Sequence, residues 1–224
     1  MAELIVALDL PDAPAAVELL DTLPDGCAVK VGSVLFTATG ASFVRNLVQG
    51  GHPVFLDLKW HDIPNTVAGA VRAAADLGVE MATVHASGGS AMLEAAVAAA
   101  GSMKLVAVTV LTSHDANSLG AVVGRDIAST ETEAMRLARL AMEAGVHGVV
   151  CSPAEVAAVK PVVGGGRVVV PGIRRAEDAV NDQARVASPG AAVAAGATHL
   201  VVGRPILAAP DPAAAYAAFQ AETR

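Results

Sequence analysis

The feature that most constrains the fold of this chain is a recurrence of short apolar runs rich in β-branched residues. Eight such runs occur, at residues 4–8, 27–31, 54–58, 81–85, 105–111, 148–151, 168–170 and 199–202. Their hydrophobicity is continuous rather than alternating, which is typical of parallel strands that are buried on both faces. Segments of helical composition lie between them, among them 13–23, 66–77, 91–100, 131–144 and 213–221. The pattern predicts an α/β protein.

Eight strands, each followed by a helix-like segment, predict a (β/α)8 TIM barrel. A doubly wound open sheet is the competing architecture. Its glycine fingerprint is missing after the first strand, where the chain reads Asp9-Leu10-Pro11-Asp12. No linker, shift of composition or internal repeat interrupts the 224 residues. We therefore expect residues 1–224 to form one barrel domain.

Charge and hydropathy exclude several classes of protein. The net charge of −7, from 15 Lys and Arg against 22 Asp and Glu, argues against a broad nucleic-acid or anionic-membrane surface, although a local basic pocket is compatible with it. The hydrophobic content of 54% excludes a disordered chain. The longest uncharged stretch, 186–203, contains Pro189, Gly190 and Gly196 and is a poor spanning helix. The first ten residues lack the basic region of a signal peptide, so we expect a cytoplasmic protein.

The cysteines and histidines give no sign of a metal site. Cys27 and Cys151 lie far apart in apolar runs, which predicts two reduced, buried thiols. The six histidines form neither an HxH nor an HExxH pattern, so no zinc site is expected.

Polar residues stand out at the carboxyl ends of the predicted strands, where TIM barrels carry their active sites. In chain order they are Asp9, Lys30, Asp57, Lys59, His85 and Thr112. Asp57 and Lys59 are two residues apart on one strand and should point to the same face. Buried charges are costly unless they are paired, and Lys30 with Asp62 would complete a neutral set of two cations and two anions. An ion pair that merely closes the barrel mouth explains the bare Asp-x-Lys pattern equally well.

A phosphate site is predicted independently at the same end of the barrel, on the opposite side of its mouth. Barrels of this kind bind phosphate in the loops after strands 7 and 8, through backbone N–H groups and arginine. Gly203 and Arg204 follow the eighth strand, and the charge-rich segment 172–185 follows the seventh. The segment is read as a lid over the phosphate; a solvated surface loop and an ordinary turn with a solvated arginine are the alternatives.

One continuous string makes the prediction specific: Asp57-Leu58-Lys59-Trp60-His61-Asp62-Ile63-Pro64-Asn65-Thr66. This string resembles the signature of the orotidine 5′-phosphate decarboxylase family. Further matches follow the same order along the chain, at residues 6–9, 29–32, 109–113, 171–174, 182–186 and 201–206. The resemblance therefore covers essentially the whole sequence.

The resemblance implies an enzyme that decarboxylates orotidine 5′-monophosphate to uridine 5′-monophosphate, the last step of de novo pyrimidine synthesis, with no metal or other cofactor. It implies that Lys59 stabilises the carbanion at C6 of the ring and delivers the proton. It implies that Asp57 lies near the departing carboxylate and holds Lys59 in place, and that Lys30 pairs with Asp57 and reaches the ribose.

The remaining roles also follow from the resemblance. Asp62, with Ile63 and Thr66, is expected to enter the site of a partner subunit, which implies a homodimer. Asp9 is expected to bind the ribose hydroxyls and Thr112 the pyrimidine edge. Four residues are expected to bind the phosphate or to close over it: Arg174, Gln183, Gly203 and Arg204.

Two alternatives remain at this point. Magnesium-dependent sugar-phosphate lyases with an enediolate intermediate share the pattern DxKxxD, but they are not expected to carry the Ile63-Pro64-Asn65-Thr66 continuation. A non-catalytic nucleotide-binding barrel would keep the phosphate site and would not need the pair Asp57 and Lys59.

Overall fold

A computed structural model describes residues 1–175 and 186–223. Its eight parallel strands follow one another around a closed barrel, in which the last strand pairs with the first. They are β1 Glu3–Ala7, β2 Ala28–Gly32, β3 Val54–Trp60, β4 Met81–His85, β5 Lys104–Val108, β6 Gly148–Val150, β7 Arg167–Val170 and β8 His199–Val202. The TIM-barrel architecture predicted from the sequence is confirmed.

Helices form the outer layer of the barrel. Within the described residues they are α1 Ala13–Leu20, α2 Ser33–Gln49, α3 Pro64–Asp76, α4 Ser90–Ala99, α5 Ala116–Val123, α6 Thr130–Glu143, α7 Val156–Val163, α8 Pro189–Ala195, α9 Arg204–Leu207 and α10 Pro212–Ala221. No helix of this part of the chain is long and apolar enough to cross a membrane.

The alternation of side chains along each strand divides the core into two parts. One face of each strand packs against the helices, as Val6, Val29 and Leu56 do. The opposite face fills the barrel with a smaller cluster made of Ile5, Ala7, Ala28, Phe55, Met81, Val106, Val169 and Val201. Because both faces are buried, the strands lack the apolar–polar alternation of half-exposed sheets. Cys27 and Cys151 are buried and are not joined in a disulfide, as predicted.

The amino end of the barrel is closed by charged groups. Nη2 of Arg167 at the start of β7 lies 2.9 Å from Oε1 of Glu80, which precedes β4 on the far side of the barrel. Beside them, Nε2 of His199 on β8 lies 3.5 Å from Oε2 of Glu3 on β1. Burial, together with the positive charge of Arg167, lowers the pKa of His199 from 6.5 to about 4. This imidazole is therefore neutral at physiological pH.

The longest strand leads directly into the signature string. β3 continues to Trp60, two residues beyond the run predicted from the sequence, and α3 begins at Pro64, where proline fits the first helical turn. Only residues 61–63 connect the two elements. Asp57 and Lys59 therefore lie on a barrel strand, and Asp62 lies in the short connection to the helix.

Candidate active site

A cavity of about 420 Å³ opens at the carboxyl end of the barrel. Its floor is apolar and includes Ala7, Phe55, Val169 and Val201 from the cluster inside the barrel. Its walls and rim carry eight of the residues singled out in the sequence: Asp9, Lys30, Asp57, Lys59, Thr112, Arg174, Gly203 and Arg204. Residues from distant parts of the sequence therefore converge on one pocket, at the end of the barrel where the sequence predicted it.

Four of these side chains form a row of alternating charge, which we call the charge row: Asp9, Lys30, Asp57 and Lys59. Nζ of Lys30 lies 2.8 Å from Oδ1 of Asp9 and 3.8 Å from Oδ2 of Asp57. The same Oδ2 atom accepts a 2.8 Å hydrogen bond from Nζ of Lys59. The row is neutral overall, and this pairing offsets the desolvation of Lys30, which is only 8% exposed.

Lys30 contacts Asp57 as expected, at 3.8 Å, and makes a shorter contact of 2.8 Å to Asp9. The sequence predicted Asp62 as the second carboxylate of the neutral set, whereas within this chain Asp9 takes that place. Asp9 comes from the end of β1, the strand next to β2 in the barrel.

The backbone of β3 is irregular where it carries Asp57 and Lys59. Leu56 pairs with Ala82 and Trp60 with Val84, so the register between β3 and β4 shifts within these residues. Lys59 has a φ of 52°, the left-handed region that residues with a side chain rarely occupy. Such strain persists where surrounding contacts enforce it, and it is concentrated at functional sites.

A threonine that sequence reasoning missed contacts this irregular segment. Thr83 on β4 is fully buried, and its hydroxyl lies 3.0 Å from Oδ1 of Asp57 and 2.8 Å from the backbone nitrogen of Lys59. The available signal was the alternation along β4, which turns residue 83 into the barrel. A hydroxyl placed there must find hydrogen-bonding partners.

Gly32 at the end of β2 gives the ammonium of Lys30 its space. A Cβ atom at this position would lie 2.9 Å from Nζ of Lys30 and 3.3 Å from Oδ1 of Asp9. The first distance is shorter than a carbon–nitrogen contact tolerates, so any larger residue would displace the lysine or the carboxylate. In the sequence, Gly32 belongs to the family match at residues 29–32, and no separate role was predicted for it.

The rim that carries the predicted phosphate residues is built from the ends of β7 and β8, and it adjoins the Asp9 end of the charge row, because β8 pairs with β1 and a Cβ at Gly203 would lie 3.5 Å from Oδ2 of Asp9. Gly203 precedes the short helix α9 and Arg204 is its first residue, so backbone N–H groups and a guanidinium lie together there. Arg174 is buried, and its Nη1 donates a 2.7 Å hydrogen bond to the carbonyl of Ile173. Ile173 forms a bridge with Ala187, which joins the two ends of the segment after β7. Gln183 lies outside the described residues.

The turn after β3 is exposed. Asp62, Ile63 and Thr66 are all exposed, and none of them is among the described residues that line the chain's own cavity. Oδ1 of Asp62 accepts a 2.6 Å hydrogen bond from the backbone nitrogen of Ile63. The side chain of Ile63 is apolar and yet 67% exposed.

Two histidines flank the site without lining it. The rings of His61 and His85 have their centroids 5.5 Å apart. Burial, and then the nearby positive groups His61 and Lys59, lower the pKa of His85. Within the described ranges, 1–175 and 186–223, no group of three or more His, Cys, Asp and Glu side chains could hold a metal ion.

The fold and the cavity together define a TIM-barrel enzyme whose pocket joins an alternating charge row to an arginine-bearing rim. A family model described as orotidine 5′-phosphate decarboxylase / HUMPS matches residues 2–219. The chain belongs to this family. The resemblance inferred from the sequence is thereby confirmed.

Individual relatives agree with the family model. A protein named orotidine 5′-phosphate decarboxylase from Halorhodospira halophila is 56% identical, over 98% of this chain and 94% of its own length. One of the same name from Alkalilimnicola ehrlichii is 53% identical over 99% and 96%. A crystal structure of orotidine 5′-phosphate decarboxylase from Lactobacillus acidophilus superposes with a TM-score of 0.90 at 38% identity and covers 100% of both chains.

Proposed function

We propose that this chain converts orotidine 5′-monophosphate into uridine 5′-monophosphate and CO₂, and that it does so without a cofactor. The family and the names of the relatives confirm the enzyme class predicted from the sequence, a decarboxylase of pyrimidine biosynthesis. The observation that carries the mechanistic part of the proposal is the charge row, because it places an ammonium group in a cavity that has an apolar floor.

The chemistry requires a cation where the carboxylate leaves. When the bond between C6 and the carboxylate breaks, its electron pair stays on C6, and the pyrimidine ring delocalises this charge poorly. Preorganised charges in a pocket shielded from water are the strongest means a protein has to stabilise such a carbanion. A proton must then reach C6 to give the product.

Lys59 is the group we assign to both tasks. Its side chain is 37% exposed and is the more accessible of the two lysines in the charge row, because the side chain of Lys30 is almost fully buried. The ammonium of Lys59 first stabilises the negative charge on C6 and then transfers a proton to that carbon. The neutral amine recovers its proton from solvent when the product leaves.

Asp57 and Lys30 orient this ammonium. Oδ2 of Asp57 accepts the hydrogen bond from Nζ of Lys59 and also lies 3.8 Å from Nζ of Lys30. The ammonium of Lys59 therefore cannot move away without breaking a charged contact. We assign Asp57 to the neighbourhood of the departing carboxylate, and Asp9 and Lys30 to the ribose hydroxyls. Thr112 on the loop after β5 is assigned to the edge of the pyrimidine.

The phosphate is assigned to the rim that bears Gly203, Arg204 and Arg174, with Gln183 as a further contact predicted from the sequence. Bidentate contacts from a guanidinium and N–H groups at a helix start suit a phosphate dianion. Binding energy from this non-reacting group would lower the barrier of the chemical step.

The active unit is proposed to be a homodimer. Asp62 and Thr66 are exposed beside the exposed apolar side chain of Ile63, a composition that suits contact with a second copy of the chain. In the dimer, Asp62 would approach the charge row of the partner subunit. The cytoplasmic location expected from the sequence stays a prediction.

The proposal is tested by incubating the purified protein with orotidine 5′-monophosphate in excess EDTA and following the ultraviolet absorbance of the substrate. We expect turnover that EDTA does not slow, whereas a magnesium-dependent sugar-phosphate lyase would show none. Lys59→Ala should abolish turnover. Lys160→Ala is the matched control, because the ammonium of Lys160 binds the Gly164 carbonyl in the outer helix layer. Retained activity in Lys59→Ala would remove Lys59 as the proton donor.

A further inference from the structure

Thr83 connects two strands at the point where their ladder is interrupted. Between the pairs Leu56–Ala82 and Trp60–Val84, β3 advances by four residues while β4 advances by two. The peptide N–H of Lys59 therefore lies in the interrupted part of the ladder, and it donates to the hydroxyl oxygen of Thr83 at 2.8 Å. A side chain of β4 thus takes the place of a backbone carbonyl.

The chemistry of the partners fixes the direction of both hydrogen bonds. A peptide N–H can only donate, so the hydroxyl oxygen of Thr83 accepts from Lys59. An ionised carboxylate can only accept, so the single proton of the hydroxyl goes to Oδ1 of Asp57 at 3.0 Å. The proton of Thr83 is committed to Asp57, and Lys59 occupies one of the lone pairs.

These two bonds hold different parts of the same ion pair. Oδ1 of Asp57 is held by Thr83, which leaves Oδ2 directed to the ammonium groups of Lys59 and Lys30. The backbone of Lys59 is held in the left-handed region at φ 52°, which determines where its long side chain begins. Backbone strain at such a residue persists only where neighbouring contacts compensate it.

We propose that Thr83 is a positioning residue for the decarboxylation, acting through Asp57 and Lys59 without touching the substrate. The proposal rests on the proposed function for its kinetic consequences. Its structural content is independent of that function: without the hydroxyl, the bulge of β3 relaxes, Lys59 leaves the left-handed region, and its ammonium loses the geometry of the charge row.

The test compares three variants of the full-length protein. Thr83→Val removes the hydroxyl at nearly constant volume, and Thr83→Ser keeps it. Thr109→Val is the matched control, because Thr109 is also buried at the carboxyl end of the barrel and its hydroxyl donates only to the backbone carbonyl of Val150. For each protein, kcat and KM for orotidine 5′-monophosphate are measured beside thermal unfolding.

We expect kcat to fall about 10- to 100-fold in Thr83→Val, with KM changed less than about threefold, since displacement of a reacting group by about 1 Å costs on the order of 10² in rate. Thr83→Ser should recover kcat to within about threefold of the wild type. Thr109→Val should lose stability without this loss of kcat. A wild-type kcat in Thr83→Val, or an equal loss in Thr83→Ser, would overturn the proposal.

A crystal structure of each Thr83 variant separates this inference from the proposed function. If the wild-type protein does not turn over the substrate, the proposed function fails, and the structures still decide the role of Thr83. The inference holds if Lys59 leaves the left-handed region in Thr83→Val and keeps it in Thr83→Ser. It fails if Lys59 and Asp57 keep their positions in both variants.

Discussion

Nζ of Lys30 lies 2.8 Å from Oδ1 of Asp9, and this contact joins β2 to the residues that follow the neighbouring strand β1. The side chain of Lys30 is enclosed while that of Asp9 is largely exposed to the cavity. Lys30 therefore has one carboxylate on each side, and its position depends on both. The ammonium of Lys30 lies against Gly32, where a Cβ atom would come within 2.9 Å of Nζ.

Gly32→Ala is predicted to raise KM for orotidine 5′-monophosphate about tenfold or more. The added Cβ would lie 2.9 Å from Nζ of Lys30, so the ammonium has to move away from Asp9 or Asp57. Steady-state kinetics measure the effect. Gly69→Ala is the control, because a Cβ at Gly69 in α3 meets no atom within 4 Å beyond its chain neighbours and the backbone of its own helix, and alanine favours a helix. An unchanged KM in Gly32→Ala would show that Lys30 does not need its present position.

Arg204→Ala is predicted to lower kcat/KM for the nucleotide by on the order of 10² or more, because the phosphate loses its guanidinium partner at the start of α9. The nucleoside orotidine, which lacks the phosphate, provides the control. The wild type and the variant should use orotidine with similar kcat/KM. If the variant were equally impaired with both substrates, Arg204 would act on the barrel or on the ring and not on the phosphate.

Periodicity made the barrel predictable. The eight runs are continuous because each strand faces helices on one side and the cluster inside the barrel on the other. The family string then placed Asp57 and Lys59, and the cavity contains both. Their approach was predicted from a regular strand, in which residues two apart share a face. The structure achieves the same approach through a register shift and a left-handed Lys59.

The parts that could not be predicted depend on contacts between strands. Threonine is common in β-strands, so Thr83 does not stand out in the sequence. Only the pairing of β3 with β4 shows that its hydroxyl hydrogen-bonds with Asp57 and Lys59. The preference of Lys30 for Asp9 depends in the same way on the register of β1 and β2. The fifth strand was predicted to reach residue 111 but ends at Val108, so Thr112 lies on a loop. The apolar residues Val110 and Leu111 line the cavity from this loop, and in the sequence they look like a continuation of the strand.

Mixing the variants Lys59→Ala and Asp62→Ala, each of which we expect to be inactive alone, tests the contribution of a partner subunit. Asp62 is exposed on its own chain, and we predict that it acts in the neighbouring site. Dimers formed from Lys59→Ala and Asp62→Ala chains would then contain one site with native Lys59 and native Asp62. After unfolding and refolding together in equal amounts, the mixture should recover up to about a quarter of the wild-type activity, because random pairing gives half heterodimers with one native site each.

A mixture of Lys59→Ala with Asp57→Ala is the control for this experiment. Both residues belong to the charge row of one chain, so no heterodimer of these variants has a native site, and the mixture should stay inactive. Recovery in the control, or none in the mixture with Asp62→Ala, would contradict the shared site. Size-exclusion chromatography at the assay concentration establishes that dimers are present.

The amino end of the barrel makes stability depend on pH. His199 has a pKa of about 4 in the folded chain, below its ordinary value of 6.5, because it is buried and because Arg167 is nearby. Between these values the unfolded chain binds a proton that the folded chain does not, so the free energy of unfolding falls as the pH falls. From pH 7 to pH 5 this residue should account for a loss of about 2 kcal/mol.

His199→Gln isolates that contribution, since glutamine can replace the polar contacts of the imidazole and does not titrate. Urea unfolding at pH 7 and pH 5, at one protein concentration, should show a smaller loss in the variant than in the wild type by about 2 kcal/mol. Glu3 acts in the opposite direction, because burial and the neighbouring Glu80 raise its pKa and it takes up a proton more readily when folded. Glu3 is present in both proteins, and its pKa is raised by burial and Glu80 rather than by His199, so its contribution is expected to be the same in both. Equal losses in the two proteins would mean that His199 is protonated in the folded barrel at pH 5, with Glu3 at 3.5 Å as its counter-ion.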